Sequence, residues 1–176
     1  MLTTKIKPTS KLVQAAREYA VDAHHGQKYG EHDYVYHLDL VAYLAKPYGH
    51  FAQALGYLHD VVEDTAKTRE DIAHLFGEDI AQMVEWISDE EGATRAERKL
   101  KTHAKLKALD ASLPREFITL VVKLCDRLAN VRKSHHEDNS KMLTKYRGEH
   151  AAFKDAVYRE GQPSELWLEL DRLLEV

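Results

Sequence analysis

The sequence predicts an all-α protein, a bundle of about eight or nine helices in one domain that spans residues 1–176. Apolar residues recur with a helical period along most of the chain. Only eight glycines and four prolines interrupt them, and no segment has a convincing strand pattern. A chain of 176 residues is also long enough to bury a single hydrophobic core.

The first predicted helix covers residues 11–25, with Ser10 as its N-cap. The stretch "GQKYGEHD" (26–33) is predicted as a loop, and a second helix covers residues 35–45, before Pro47 and Gly49. Capping patterns start later helices at Thr68 and Thr94, and Pro114 opens another. The remaining predicted helices cover residues 51–64, 68–76, 78–91, 94–109, 114–133, 137–158 and 163–176.

The bulk composition excludes several classes of protein. A net charge of −4, from 25 basic and 29 acidic residues, does not indicate a nucleic-acid-binding surface. We find no signal peptide and no apolar run long enough for a membrane span. The single cysteine, Cys125, suits a reducing compartment, so we expect a cytoplasmic protein. Exposed aromatic residues on helices make a homo-oligomer an open possibility.

The stretch "YLHDVVEDT" (57–65) places protonatable groups in an otherwise apolar helix pattern. Burying an unpaired carboxylate there would be costly, and a bound cation would remove the cost. His59 and Asp60 are adjacent, and Asp126 lies in a second apolar helix pattern. With His37, near the start of the second helix, these groups would form a site of nitrogen and oxygen ligands. Such a site suits Mn²⁺, Fe²⁺, Zn²⁺ or Co²⁺ better than Mg²⁺ or Ca²⁺.

Several ordered motifs resemble one known family. "AVDAHHGQKYG", "YVYHLDLVAYL", "GYLHDVVEDT", "REDIAHLFGEDIAQMVEWIS" and "VVKLCDRLANVRKS" are similar to the hydrolase domain of the Rel/Spo alarmone enzymes, which belongs to the HD metal-dependent phosphohydrolase superfamily. The similarity covers about residues 10–135, and residues 138–176 form a helical extension. The resemblance implies an HD-domain fold. The length of the chain is similar to that of the small, stand-alone alarmone hydrolases of the family.

The resemblance also implies roles for single residues. His37, His59, Asp60 and Asp126 match the four ligands of one divalent ion, usually Mn²⁺. Glu63 and Asp64 match the acidic pair that positions or deprotonates the attacking water. The reaction implied is the removal of pyrophosphate from the 3′ position of guanosine tetra- or pentaphosphate, which leaves GDP or GTP.

Residues that would bind the substrate follow from the same motifs. Asn130, Arg132 and Lys123 match positions that line the family's nucleotide pocket. The family's "RKSGEPY" loop, which grips the guanine base, reads "KYGEHDY" here, without the arginine. Lys28 would then supply the basic group, and Tyr29 would stack on a base. This difference leaves the base specificity open.

Three other functions compete with alarmone hydrolysis. An HD hydrolase acting on an adenosine alarmone, a deoxynucleotide or a phosphorylated dinucleotide cofactor would explain the altered loop. A non-catalytic regulator or antitoxin could keep the metal site as a relic, although it would have no need of the acidic pair. A nucleic-acid-binding module fits the net charge least well.

Other conspicuous residues have simple structural interpretations. His24, His25, His135 and His136 end two predicted helices, where a positive charge is favourable. Cys125 is interpreted as a small buried hydrophobe. The cationic run 95–107 is interpreted as a solvated helix face, with phosphate binding by Arg95, Arg98 or Lys99 as the functional alternative.

Overall fold

The structure is a computed structural model that describes residues 9–176, and it confirms the all-α prediction. Nine α-helices of eight residues or more and one single-turn helix, α4, form the bundle. Their bounds are α1 (Ser10–Ala23), α2 (Val35–Ala45), α3 (His50–Leu58), α4 (Val61–Asp64), α5 (Arg69–Phe76), α6 (Glu78–Ile87), α7 (Arg95–Lys107), α8 (Pro114–His136), α9 (Ser140–Val157) and α10 (Ser164–Leu174). A 3₁₀ helix (Lys46–Tyr48) follows α2.

The centre of the bundle is α8, which packs against α2, α3, α6, α9 and α10. Helix α8 has 23 residues, and its stretch from Thr119 to Val131 is apolar around most of the helix circumference. Nearly all of that stretch is buried. A helix that is apolar around its circumference belongs in a core. The exception to this apolar character is the polar face that carries Asp126. Within residues 9–176, no helix combines the length and the hydropathy needed to cross a membrane.

The helices α2 and α3 approach each other very closely at Gly56. A Cβ atom at Gly56 would lie 2.9 Å from the Cα and 3.0 Å from the backbone nitrogen of Ala42. Gly56 and Ala42 are therefore both small because the two backbones touch there. Since α2 carries His37 and α3 leads into His59, this contact sets the spacing of two predicted metal ligands.

The predicted helix starts are largely confirmed. Thr68 and Asp71 form a reciprocal capping box, and Thr94 accepts a hydrogen bond from the Glu97 backbone. The predicted N-cap at Ser10 is wrong, because Ser10 is the first helical residue. Thr9 is the N-cap instead, and it makes no side-chain capping hydrogen bond.

The third predicted helix, residues 51–64, is interrupted at His59 and Asp60. In a continuous helix the carbonyl of Gly56 would accept from residue 60. Here that carbonyl accepts a hydrogen bond from Nδ1 of His59 at 2.8 Å, and the helix ends at Leu58. A new turn, α4, begins at Val61 and carries Glu63. The acidic pair is therefore on a separate turn, not further along one helix.

The predicted loop over residues 26–33 contains a short hairpin. Strand β1 (Lys28–Tyr29) pairs with β2 (His32–Asp33) in antiparallel register, with Gly30 in the turn at φ +64°. The loop prediction is wrong for these four residues because cross-strand contacts order them. One such contact is the ion pair of Lys28 with Asp33, at 2.5 Å.

We predict that Gly56→Ala destabilises the protein and reduces metal binding, because the added methyl group forces α2 away from α3. Gly148→Ala is the matched control, since Gly148 lies inside α9 with nothing within 4 Å of an added Cβ. The control should gain roughly 0.5–1 kcal/mol in the free energy of unfolding. Urea denaturation of both variants measures this difference, and an equal gain in Gly56→Ala would contradict the proposed backbone contact.

Candidate metal centre and catalytic cavity

Four predicted ligands from three parts of the fold converge. His37 lies in the first turn of α2, His59 and Asp60 occupy the break after α3, and Asp126 lies in the middle of α8. The Nε2 atoms of the two histidines are 3.3 Å apart. Nε2 of His37 is 3.4 Å from Asp60 Oδ2 and 3.3 Å from Asp126 Oδ1. Nε2 of His59 lies 2.9 Å and 3.7 Å from the same two oxygens.

These distances fit a single divalent ion. Bonds of roughly 2.0–2.2 Å from one ion would place neighbouring ligand atoms roughly 3.0–3.5 Å apart. Nδ1 of His59 is engaged with the Gly56 carbonyl, so its Nε2 is left as a lone-pair donor. Ligand atoms of His37, His59 and Asp126 all lie within 4.8 Å of one another. Two nitrogens and carboxylate oxygens that face one another this closely, in a nearly buried position, are suited to a shared cation.

The electrostatics of the cluster favour positive charge. Burial lowers the pKa of His59, but the carboxylates of Asp60 and Asp126 more than offset it, so the pKa is raised well above its usual value. The pKa of His37 is raised for the same reasons. Burial opposes ionisation of Asp126, yet the two imidazoles hold its pKa well below the usual range. The two half-buried carboxylates, Asp60 and Asp126, both have lowered pKa values and provide the charge that a divalent cation requires.

The acidic pair lies beside this cluster. Oε2 of Glu63 accepts a hydrogen bond from the backbone N–H of Asp89 at 2.9 Å. The Tyr34 hydroxyl lies 2.7 Å from Asp60 Oδ2 and 3.0 Å from Asp64 Oδ2, and it thereby joins a predicted ligand to the pair. Desolvation raises the pKa of Glu63 and Asp64, and neighbouring carboxylates add to the effect. A carboxylate with a raised pKa is a better general base.

The cluster opens into a cavity of about 180 Å³ with charged walls. Four cationic side chains from α7 and α8 line it together with the acidic groups: Arg95, Lys99, Lys123 and Arg127. Phosphate groups are bound in proteins by such sets of lysine and arginine side chains. The cavity thus joins a candidate metal centre to a candidate phosphate-binding wall.

Two carboxylates organise the cationic wall. Asp89 contacts Lys99 at 2.5 Å and Lys123 at 3.4 Å. Glu149, on α9, accepts two hydrogen bonds from Arg95, at 2.9 and 3.1 Å, and one from Arg127 at 3.1 Å. Each pair of cations therefore shares one counter-ion.

Aromatic rings of α9 complete that side of the cavity. The Arg127 guanidinium lies 4.7 Å from the centre of the Tyr146 ring and 4.6 Å from that of Phe153. Both rings line the cavity. Contacts of this kind hold a guanidinium in a fixed orientation. Residues of the predicted C-terminal extension therefore form part of the site.

Only some of the predicted substrate-binding residues line the metal cavity. Lys123 and Asn130 line the cavity, and Asn130 donates to Asp126 Oδ1 at 2.6 Å. Tyr29 packs against the His37 ring at 4.6 Å, and its hydroxyl donates to Asn130 at 2.8 Å. Lys28 is exposed and paired with Asp33. Tyr29 therefore supports the metal centre from the hairpin, whereas Lys28 does not line this cavity.

Arg132 lies away from the metal cavity. It makes two hydrogen bonds to Glu169, at 2.8 and 2.6 Å, and lines a second cavity of about 300 Å³ between α2 and α8. At 100° per residue, Arg132 is separated from Asp126 by about 120° around α8, whereas Asn130 is separated from it by only about 40°. The helical period therefore explains why the structure brings Asn130, and not Arg132, to the site.

Part of the cationic run of α7 faces the metal cavity, and part of it lies elsewhere on the surface. Arg95 and Lys99 line the metal cavity, whereas Arg98 borders a shallow depression elsewhere. His24 is buried against the Tyr34 ring, with centroids 4.4 Å apart, so it supports a residue of the site. Cys125 is fully buried, and burial raises the pKa of its thiol to about 12.

Five residues that line the cavity were not among the predicted site residues: Tyr34, Asp89, Arg127, Tyr146 and Phe153. Tyr34 lies about one turn before His37, so helical spacing could have indicated it. Arg127 directly follows Asp126, and consecutive helical positions diverge by about 100°, so helical spacing does not indicate it. Asp89 and Tyr146 follow no local pattern. They reach the cavity because α6 and α9 pack against α8.

Comparisons with known proteins agree with this architecture. The HD domain family matches residues 16–151. The chain belongs to the HD domain family. The predicted resemblance is thereby confirmed at the level of the family, and membership of this family fits the divalent-metal site described above.

Similar proteins include enzymes of alarmone metabolism. A guanosine-3′,5′-bis(diphosphate) 3′-pyrophosphohydrolase of Spiroplasma citri is 34% identical over 134 residues, which are 74% of this chain and 18% of that protein. A GTP pyrophosphokinase rsh of Brucella melitensis is 34% identical over 124 residues, 69% of this chain and 16% of that protein. The chain thus spans less than a fifth of the length of these relatives.

One solved structure is similar along nearly its whole length. It is described as a metazoan ortholog of SpoT that hydrolyses ppGpp and plays a role in starvation responses. The TM-score is 0.77 with 24% sequence identity, and the match covers 96% of each chain. At this identity the likeness shows a shared fold.

We predict that Asp126→Ala or His59→Ala abolishes stoichiometric binding of a divalent metal. At a Mn²⁺ concentration 100 times its Kd, wild-type protein should gain about 2.7 kcal/mol in the free energy of unfolding. The variants should lose this gain, while His135→Ala, at an exposed histidine, should keep it. Metal content by mass spectrometry and thermal unfolding measure both effects. Full metal content in Asp126→Ala would exclude Asp126 as a ligand.

Proposed function

We propose that this protein is a metal-dependent phosphohydrolase that removes pyrophosphate from the 3′ position of guanosine tetra- or pentaphosphate. One observation carries the proposal: a single cavity is lined by three of the four proposed metal ligands, three further acids and four cationic side chains. The names of the similar proteins supply the substrate class. A non-catalytic regulator would have no use for this combination.

His37, His59, Asp60 and Asp126 would hold the ion, for which we propose Mn²⁺ because imidazole and carboxylate ligands are mixed. A bound divalent ion lowers the pKa of water and polarises a phosphoryl oxygen. Oε1 or Oε2 of Glu63, or the carboxylate of Asp64, would accept the proton of the attacking water. Their raised pKa values suit this role, and Tyr34 would fix Asp64 relative to Asp60.

The cationic wall would bind and stabilise the phosphates. Lys123 and Lys99 lie on the side of Glu63, where they would balance negative charge on the oxygens of the pyrophosphoryl group that water attacks, while the bond from phosphorus to the ribose 3′ oxygen breaks. Arg127 and Arg95 lie further along the wall and would hold remaining phosphate oxygens through paired N–H donors. The aromatic rings of α9 would exclude water from that side.

We also propose that residues 138–176 belong to the same domain as the motifs at 10–135. Leu166, Trp167, Leu170 and Leu174 are buried in the common core. Helix α9 contributes Glu149, which holds two arginines of the cavity. A separate module would not need to place these groups at the site.

The first test is incubation of Mn²⁺-loaded protein with guanosine tetraphosphate, with the products separated by anion-exchange chromatography. We expect GDP and pyrophosphate. Glu63→Gln should retain the metal and lower kcat about 10²-fold or more, the usual scale for a general base. Glu70→Gln, on the exposed face of α5, is the control and should retain activity. Bound metal without turnover of this substrate would contradict the proposed reaction.

A second candidate is hydrolysis of a nucleotide with a different base. The hairpin favours it, because Lys28 is paired with Asp33 and the Tyr29 hydroxyl is occupied by Asn130. Neither group is free to read guanine edges. We therefore predict weak base discrimination, with kcat/KM for the adenosine counterpart within about 10² of that for guanosine tetraphosphate, the discrimination of a site without specific hydrogen bonds.

The test of base discrimination is a panel containing both alarmones, a deoxynucleoside triphosphate and a phosphorylated dinucleotide cofactor. The panel is measured by released phosphate or pyrophosphate. A preference for guanosine of more than 10⁴-fold would show specific hydrogen bonds to the base and overturn this expectation.

A further inference from the structure

Asp89 occupies a central position between the acidic and the cationic parts of the cavity. Its backbone N–H donates to Glu63 Oε2 at 2.9 Å. Its carboxylate reaches Lys99 Nζ at 2.5 Å through Oδ2 and Lys123 Nζ at 3.4 Å through Oδ1. One residue therefore contacts the proposed general base and two of the proposed phosphate-binding groups.

The segment that carries Asp89 is held by α7. The backbone N–H of Glu90 donates to the Thr102 hydroxyl at 2.8 Å, and Lys105 Nζ donates to the Ser88 carbonyl at 2.9 Å. These contacts flank Asp89 on both sides along the chain. The Asp89 side chain is itself only 9% exposed. Its position is thus fixed by the packing of α6 and α7, before any substrate binds.

The two ammonium groups need a shared counter-ion. Burial and the charge of Lys123 lower the pKa of Lys99, although Asp89 opposes both. Lys123 is nearly buried and also donates to the Ile87 carbonyl at 2.9 Å. Without the Asp89 carboxylate, two like charges would face each other in a poorly solvated wall and would move apart.

We infer that Asp89 is a positioning residue for the proposed hydrolysis, on which this inference rests. It holds Lys99 and Lys123 at the side of the cavity next to Glu63, so that both ammonium groups bind the pyrophosphoryl group that is attacked while Glu63 accepts the proton of the attacking water. Asp89 does not itself contact the reacting atoms. Its carboxylate repels phosphate, so its contribution is to geometry and not to affinity.

Asp89→Asn separates the contribution of Asp89 to geometry from its effect on phosphate affinity, because it keeps the backbone N–H and the side-chain size but removes the charge. We expect kcat to fall at least 10-fold. Affinity for inorganic phosphate, measured by calorimetry on metal-loaded protein, should stay equal or rise. Asp89→Glu, which keeps the charge, should recover part of kcat. Asp155→Asn removes an aspartate paired with Lys107 on the exterior and should leave both quantities unchanged.

A double-mutant cycle with Lys99→Ala tests whether Asp89 affects kcat through Lys99. If Asp89 acts through Lys99, Asp89→Asn should lower kcat less than 3-fold in the Lys99→Ala background. A loss of phosphate affinity in proportion to kcat, or a kcat within 3-fold of wild type in Asp89→Asn, would overturn the inference. If Asp89→Asn does not fold, an Asp89→Glu variant with no more activity than Lys99→Ala overturns it.

The failure of the proposed function is distinguishable from the failure of this inference. If wild-type protein hydrolyses none of the nucleotides in the panel, the proposed reaction fails. Phosphate affinity in wild-type protein, Asp89→Asn and Lys99→Ala then still tests whether the Asp89 carboxylate opposes phosphate binding, as this inference requires, or supports it. An affinity in Asp89→Asn well below that of wild type would contradict the positioning role without any turnover.

Discussion

The contact between the backbones of α2 and α3 at Gly56 is the constraint on which the metal centre depends. His37 is anchored in α2, and His59 follows the end of α3 by a single residue. Their Nε2 atoms can lie 3.3 Å apart only because no side chain separates the two helices at Gly56. The carbonyl of the same glycine accepts a hydrogen bond from His59 Nδ1, which orients the ring and ends the helix.

The charges of the cavity balance within the protein before a substrate arrives. Carboxylates Asp60 and Asp126 face the imidazoles, while Asp89 and Glu149 each hold a pair of cations. Burying such groups without partners would cost several kcal/mol for each ion. Internal pairing reduces this cost and also leaves the cationic groups oriented toward the cavity, where phosphate oxygens can be added as further partners.

The fold assembles this cavity from distant parts of the chain. Asn130 and Tyr29 are 101 residues apart in sequence, and their hydrogen bond ties the hairpin to α8 behind the ligand cluster. Helix α9 reaches the opposite wall with Tyr146 and Glu149. Because α8 contacts both regions, a change in its packing would alter the metal ligands and the cationic wall together. The central helix therefore couples the stability of the core to the geometry of the site.

The sequence by itself determined the helical class, most helix boundaries, the family, and the residues that cluster as candidate ligands. The helical class and the helix boundaries depend on local period and capping, whereas the family and the ligand set follow from ordered motifs that resemble a known family. Tertiary structure decided which cations reach the cavity: Arg127 and Arg95 do, whereas Arg132 pairs with Glu169 on another face. It also decided the break after Leu58 and the place of Asp89. Those outcomes depend on how helices distant in sequence pack, and no local pattern records that packing.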